Sequence, residues 1–228
     1  MNGSHKPKIL KYILLPFVVF NLIGILVFGT YYFLSFKNVK LPPAINQASI
    51  GFIMYVLVSL AEWYFLFSVL GELRKNNLTL RSVLFPPEKT KPDYLSILVL
   101  FLSVNALFAV YLVQFGAQGN WIRELASWQK YFIIIFLPLT AGICEEIIWR
   151  GYLITALKTR GVKDGLAIFI SAISFASIHG IYLLDKLIIT FFIGLLTALY
   201  YVKQKRIMPL IITHIIMDMW SFGVYLIK

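Results

Sequence analysis

Seven apolar runs, separated by short polar or proline-containing segments, constrain this chain more than any other feature. Most of them approach or exceed the roughly 20 residues that cross a bilayer as a helix, and together they leave no room for a sizeable soluble domain. We therefore predict an all-α, polytopic membrane bundle of about seven transmembrane helices. The runs are residues 10–36, 48–70, 94–115, 130–157, 165–179, 183–202 and 208–227.

The composition favours the same class of protein, since 60% of the 228 residues are hydrophobic and only 14% are charged. A net charge of +11 would indicate a nucleic-acid partner in a soluble protein, but here the basic residues lie mainly between the apolar runs. We therefore expect contact with the lipid bilayer and no nucleic acid. Cys144 is the only cysteine, so it forms no disulfide within the chain, and we interpret it as a packing residue.

The basic residues also predict an orientation. If seven helices cross the membrane, most Lys and Arg residues fall on the side that holds the N-terminus, and the positive-inside rule makes that side cytoplasmic. The C-terminus would then lie outside. The residues on the N-terminal side are Lys6, Lys8, Lys11, Arg74, Lys75, Arg81, Lys89, Lys91, Lys158, Arg160, Lys163, Lys203, Lys205 and Arg206. Those on the other side are Lys37, Lys40, Arg123, Lys130, Lys186 and Lys228.

Three charged residues interrupt the fourth run, where residues 142–151 read GICEEIIWRG. An ionisable side chain at the centre of a membrane helix costs about 2.5–3.5 kcal/mol on insertion scales, so Glu145, Glu146 and Arg150 need partners or a function. Helical spacing places Glu146 and Arg150 on one face, four residues apart, where they can form an ion pair. Glu145 points about 100° away from Glu146 and stays available for chemistry.

The late runs contain three more ionisable residues, His179, His214 and Asp218. The rise of 1.5 Å per residue brings them to depths compatible with that of Glu145, which predicts one buried polar site between the later helices. His214 and Asp218 are again four residues apart, so the carboxylate can orient the imidazole. Glu62 in the second run is either a lone protonated carboxyl in a helix interface or a distant member of this site.

Such a set can hydrolyse a peptide bond without a covalent intermediate. A carboxylate beside an imidazole takes a proton from water, and a second imidazole stabilises an oxyanion or protonates the leaving amine. Zinc bound by Glu145, His179 and His214 is chemically possible, since three protein ligands leave an open position. We favour a site without metal, because an HExxH motif is absent and Arg150 is a poor neighbour for a cation.

These residues form three ordered motifs on separate membrane helices. The motifs are Glu145-Glu146-x-x-x-Arg150, Phe175-x-x-x-His179 and His214-x-x-x-Asp218. From residue 131 to the C-terminus the chain resembles the CPBP family of intramembrane proteases, also called the CAAX protease and bacteriocin-processing or Abi family. The resemblance implies an all-helical endopeptidase in which Glu145 and His179 activate water, while His214 and Asp218 form the oxyanion side. Phe175 would line the substrate site.

The last position of the third motif departs from the branch of the family that trims prenylated CAAX proteins, where it is commonly Asn. An ionised Asp218 accepts hydrogen bonds but donates none, so we expect it to orient His214. The departure is shared with bacterial relatives, which weakens a specific assignment to prenyl-protein processing. It also favours a prokaryotic plasma membrane as the location.

We therefore expect a glutamic-type intramembrane endopeptidase acting on a membrane-associated or secreted peptide or protein, either CAAX-type or resembling a bacteriocin or peptide pheromone. Two alternatives remain: a non-hydrolytic membrane regulator or bacteriocin-immunity protein that binds a peptide or partner protein, and a proton-coupled transporter. We divide the chain into three N-terminal spans, residues 1–128, and a catalytic core of four spans, residues 129–228, within one membrane unit. The sequence leaves the oligomeric state open.

Overall fold

The computed structural model describes residues 8–40, 42, 44–75, 93–115, 119–181 and 183–226. Within these ranges the chain is helical and contains no strand, so the predicted all-α membrane bundle is confirmed. The seven main helices are α1 (Ile9–Phe36), α2 (Gln47–Lys75), α3 (Tyr94–Phe115), α4 (Ser127–Thr159), α5 (Asp164–Ser177), α6 (Leu184–Gln204) and α7 (Met208–Leu226). Lys6, Arg81, Lys89, Lys91 and Lys228, which entered the orientation argument, lie outside the described residues.

Helix α5 differs from the other six. Those six are long and apolar enough to cross a membrane, whereas α5 has 14 residues and a length of about 21 Å. The hydrocarbon core of a bilayer is about 30 Å thick. The fifth apolar run therefore does not form a full-length span, because the helix ends at Ser177 and a turn follows that contains His179 and Gly180.

Local sequence explains where the last helices end and begin. Gly161 adopts a φ of +77° in the connection between α4 and α5, and Gly180 adopts a φ of +100° after α5, a region that glycine enters without a steric cost. The connection from α6 to α7 is short. Lys205 caps α6 in the left-handed conformation, and α7 begins with Met208 and Pro209, where a missing backbone N–H costs nothing.

Helix α4 lies at the centre of the bundle. In its most apolar stretch 67% of the residues are buried, against 17–39% in the other five long helices. The main hydrophobic core contains residues of both halves of the chain, such as Phe65 of α2, Trp149 of α4 and Leu210 of α7. Most of helix α4 is therefore in contact with protein rather than lipid. Charged side chains on this helix can be shielded from lipid.

Two segments of α4 have π-helical winding, Phe132–Phe136 and Glu146–Ile154. A π-helix bonds residue i to residue i+5, is rare, and often accompanies a functional site. The second segment begins at Glu146, so the two adjacent glutamates lie on either side of the change in winding. Side-chain directions after Glu145 consequently differ from those of a regular α-helix.

Candidate active site

Glu145 and Glu146 lie in the central helix and are almost fully enclosed, with exposures of 4% and 1%. Helix α4 packs against α2 and α7 around Glu145, while the π segment also packs against α5 and α6. The site is therefore enclosed by protein on several sides. In such a low-dielectric place a charge needs a partner, and the contacts of each carboxylate show where it finds one.

Glu146 is paired with Arg150. The Glu146 Oε2 atom lies 3.3 Å from Nε of Arg150, which is 0% exposed, so the predicted pair is present. The Arg150 Nη2 atom donates a hydrogen bond to Thr197 Oγ1 of α6 at 2.5 Å. The guanidinium carbon also lies 4.1 Å from the centre of the Phe175 ring. Arg150 thus connects α4 to both α5 and α6.

His214 of α7 is surrounded by three carboxylates. Its Nδ1 atom lies 2.9 Å from Glu146 Oε1 and donates a hydrogen bond to it, since a carboxylate only accepts. On the other side of the ring, Nε2 lies 3.6 Å from Glu145 Oε2 and 3.5 Å from Asp218 Oδ2. These two separations are longer than a good hydrogen bond, so each is an ion-pair contact rather than a direct hydrogen bond.

His179 lies in the turn that follows α5. Its Nδ1 atom is 3.0 Å from the carbonyl oxygen of Phe175. Because a carbonyl oxygen only accepts, Nδ1 carries the proton, and in the neutral imidazole Nε2 then carries the lone pair. The ring packs edge-on against Phe175, with ring centres 4.8 Å apart. The Nδ1 contact thus orients the ring and makes Nε2 the nitrogen that can accept a proton.

A comparison with known protein families matches the part of the chain that contains these residues. Residues 127–220 match the model of a family described as type II CAAX prenyl endopeptidase Rce1-like. We call these matched residues, 127–220, the Rce1-like segment. A search of the curated proteins and a search of the solved structures each found no match. The family match and the six long apolar helices support an integral membrane protein and a peptidase in general.

The Rce1-like segment contains all six residues that the sequence singled out as catalytic. These are Glu145, Glu146, Arg150, His179, His214 and Asp218. Four of them, Glu145, Glu146, His214 and Asp218, are joined through the His214 ring, and Arg150 joins through Glu146. The structure therefore brings residues of α4 and α7 into direct contact across the bundle.

The neighbour of Glu145 differs from the expected one. The family resemblance implies that Glu145 acts on water together with His179, but within the described ranges the imidazole nitrogen within 4.0 Å of that carboxylate belongs to His214. One feature of the backbone is associated with this difference, since His179 lies in the turn after α5 rather than on a helix face.

Glu62 enters the site from outside the Rce1-like segment. It lies in α2, is buried, and interacts electrostatically with Glu145, His214 and Asp218, while Thr140 of α4 is a hydrogen-bonding neighbour. Its Oε2 atom has no hydrogen bond among the described residues. Of the two interpretations that the sequence left open, this placement favours membership of the site over an isolated carboxyl.

Phe175 forms a wall between the charged residues. Its ring packs against His179, His214 and the Arg150 guanidinium, and it is almost completely buried. Its assignment to substrate binding stays a prediction. The sequence analysis missed Thr197. A threonine inside an apolar helix is a polar group that requires a partner, and Thr197 Oγ1 donates to the carbonyl of Ile193 and accepts from Arg150.

The site residues do not fit a catalytic zinc as they are placed. Such an ion would need Glu145, His179 and His214 as ligands together. Among the described residues, the imidazole within 4.0 Å of Glu145 is that of His214, while His179 is held in its turn by the Phe175 carbonyl. In the part of the chain that the structure describes, no group of three or more His, Cys, Asp or Glu side chains is arranged to hold a metal ion.

Proposed function

We propose that this protein is an intramembrane endopeptidase of the glutamic type, which hydrolyses a peptide bond with water activated by Glu145. One observation carries the proposal. The Oε2 atom of Glu145 is buried, has no hydrogen bond among the described residues, and faces Nε2 of His214 at 3.6 Å. A buried acceptor without a partner, next to an imidazole, is the arrangement that general-base catalysis on a small molecule such as water requires.

In the proposed reaction the Glu145 carboxylate removes a proton from water, and the resulting hydroxide adds to the carbonyl carbon of the substrate. The charge develops on the carbonyl oxygen, where a proton on His214 Nε2 donates a hydrogen bond to it. Glu145 then passes its proton to the amide nitrogen, and the carbon–nitrogen bond breaks. The products are one chain ending in a carboxylic acid and one beginning with an amine, and proton transfer from the acid to the amine then leaves a carboxylate and an ammonium group.

The remaining residues of the set support these steps. Glu146 holds His214 through Nδ1, and Arg150 compensates the charge of Glu146. Asp218 and Glu145 balance a proton on Nε2 from the other side of the ring. His179, with its lone pair on Nε2, is a second acceptor for a hydrogen of the attacking water. No step requires a metal ion.

The proposed substrate is a peptide or protein in or at the membrane. The Rce1-like family is described as CAAX prenyl endopeptidases, and a prenylated C-terminal peptide is accordingly one class that we propose to test. A hydrophobic peptide of the bacteriocin or pheromone type is the other. We propose that the membrane is a prokaryotic plasma membrane.

The function is tested by comparing the membrane peptides of cells that express the wild-type protein with those of cells that express Glu145→Gln. We expect peptides with new termini only with the wild-type protein. A purified protein in lipid nanodiscs should then cleave a synthetic copy of the same peptide, with and without a prenyl group. Equal peptide sets in both cells, combined with a phenotype that Glu145→Gln retains, would instead support a binding or regulatory role.

A second prediction concerns metal. Purified active protein is expected to contain less than one zinc ion per ten chains, and dialysis against a zinc chelator such as 1,10-phenanthroline should leave kcat unchanged. Elemental analysis of the same sample used for the assay gives the measurement. Loss of activity on chelation, with recovery on adding zinc alone, would contradict the metal-free mechanism.

We also propose that the N-terminus is cytoplasmic, and that the C-terminus is outside if α5 and the turn after it complete a seventh crossing. Lys37 at the end of α1 and Lys163 between α4 and α5 are exposed and are expected on opposite sides of the membrane. Lys37→Cys should react with an impermeant maleimide in intact cells, and Lys163→Cys only after permeabilisation. Cys144 is 0% exposed, so it need not be replaced. The reverse pattern would invert the orientation.

A further inference from the structure

Asn21 is a polar residue within the first apolar helix and is only 5% exposed. An amide at such a place must find partners inside the protein, because lipid offers none. Its Nδ2 atom donates to the carbonyl oxygens of Phe17 and Ser177, both at 2.8 Å, and its Oδ1 atom accepts from the backbone N–H of Ile181 at 3.1 Å. Two of these three bonds therefore leave the helix of Asn21 and reach another part of the bundle.

Those two bonds lie on either side of His179. Ser177 is the last residue of α5, and its carbonyl is one of the four at a helix C-terminus that have no partner within the helix. Ile181 follows the turn, and its backbone N–H does not belong to a helix. A single side chain in α1 thus binds the backbone immediately before and immediately after the stretch that carries the imidazole.

The orientation of the Asn21 amide follows from its partners. Two carbonyl oxygens can only accept and a backbone N–H can only donate, so Nδ2 must face Ser177 and Phe17 while Oδ1 faces Ile181. An aspartate supplies acceptors alone, and a leucine supplies neither function. Among residues of this size, asparagine meets both requirements of the turn.

The imidazole depends on the path of this turn. The His179 backbone N–H donates to Ala176 at 3.1 Å, and Nδ1 of the ring donates to Phe175 at 3.0 Å, so the ring is held by the final carbonyls of α5. Gly180, with its φ of +100°, supplies no side chain that could fix the turn from within. The bonds from Asn21 to Ser177 and Ile181 are therefore contacts from outside α5 that fix it.

We propose that Asn21 is a positioning residue for His179. It fixes the turn so that Nδ1 of the imidazole stays on the Phe175 carbonyl and Nε2 keeps the lone pair for the reaction. The catalytic part of this statement depends on the proposed function, whereas the geometric part does not. Asn21 lies in α1, outside the Rce1-like segment, so the first helix takes part in the site without contacting the reacting atoms.

The experiment compares Asn21→Leu with Asn105→Leu. Asn105 is a matched control, because it is a partly buried asparagine of another long apolar helix, and the bond the structure gives its Nδ2 is to the carbonyl of Phe101, four residues earlier, at 2.8 Å. The chain has three histidines, His5, His179 and His214, so the ring nitrogens can be observed by ¹⁵N NMR after histidine labelling. His179→Ala assigns the signal.

In the wild-type protein we expect the His179 nitrogens to show a single tautomer, with the proton on Nδ1. In Asn21→Leu the carbonyl of Ser177 and the N–H of Ile181 lose their partner, and the His179 signals should move toward the average of the two tautomers. The His214 signals and all signals of Asn105→Leu should stay as in wild type. Unchanged His179 signals in Asn21→Leu would overturn the proposal.

Activity gives a second measurement. We expect Asn21→Leu to lower kcat by about 10- to 100-fold with little change in KM, since displacement of a catalytic group by about 1 Å has effects of this order. In a His179→Ala background the same substitution should have no further effect, whereas a general loss of stability would lower the remaining activity in both backgrounds. An equal loss in both backgrounds would also overturn the proposal.

Two controls separate the possible failures. If Asn21→Leu does not fold, Asn21→Asp makes the same comparison, because it keeps the size and the acceptor for Ile181 and loses the donor to Ser177. If the wild-type protein cleaves no peptide at all, the proposed function fails, while the NMR comparison still decides whether Asn21 positions the ring.

Discussion

Replacing Glu145 with glutamine is expected to lower kcat by about 10²- to 10⁴-fold, which is the usual contribution of a general base. The amide has the same shape as the carboxyl group but cannot remove a proton from water. Oε2 of Glu145 makes no hydrogen bond within the described residues, so the change weakens its 3.6 Å ion-pair contact with His214 and breaks no hydrogen bond of that atom. KM and the midpoint of thermal unfolding should therefore change little. The measurement is cleavage of a synthetic substrate by the protein in nanodiscs.

Glu72→Gln is the matched control for this experiment. Glu72 lies in α2, is likewise buried, and forms an ion pair of 3.2 Å with Lys75 far from the site in sequence. We expect this substitution to leave kcat within about twofold, since the Lys75 side chain is 56% exposed and an ion pair with a solvated partner contributes at most about 1 kcal/mol. Full activity of Glu145→Gln, or equal losses in the two variants, would remove Glu145 from its role as the base.

Replacing Arg150 with methionine is expected to give the largest loss of stability, about 3–5 kcal/mol. The guanidinium is completely buried between Glu146, Thr197 and the Phe175 ring, and its removal leaves the Glu146 charge without its main counter-charge. Methionine fills most of the space of the arginine side chain, so the loss of stability measures the effect of the missing charge rather than that of a cavity. The fraction of monodisperse protein after heating in detergent measures the effect.

The double variant Glu146→Gln/Arg150→Met is the control. It removes both members of the ion pair, so no uncompensated charge remains in the core, and it should be clearly more stable than Arg150→Met alone. The hydrogen bond from His214 Nδ1 can still go to the side-chain oxygen of the glutamine. If the single variant were as stable as the wild-type protein, the ion pair would not be what keeps Glu146 in place.

Regular helical geometry was enough to predict part of this site. The fold class follows from the apolar runs, and the Glu146–Arg150 pair follows from a spacing of four residues, which brings side chains together in both α and π winding. The approach of α7 to α4 was also predicted from the depth of the residues in the membrane. His214 and Asp218 lie at the same level as the two glutamates, which allows these residues to interact.

Contacts that depend on irregular backbone could not be predicted in this way. The end of α5 at Ser177 places His179 in a turn, and the winding of α4 changes to π at Glu146, but neither feature has a clear signal in a run of apolar residues. Asn21 did have a signal, since it is a lone amide within an apolar run. Two of its three partners are backbone atoms more than 150 positions away in the chain, and backbone atoms have no sequence signature.

The central position of α4 has a consequence for protein engineering. The glutamates lie inside the Rce1-like segment, yet α2 with Glu62 and α1 with Asn21 complete the surroundings of the site from outside that segment. Transplanting residues 127–220 into another membrane protein would therefore carry over the six candidate catalytic residues without Glu62 and Asn21. The chain is better transferred as a whole, so that the first two helices accompany the candidate site that they help to enclose.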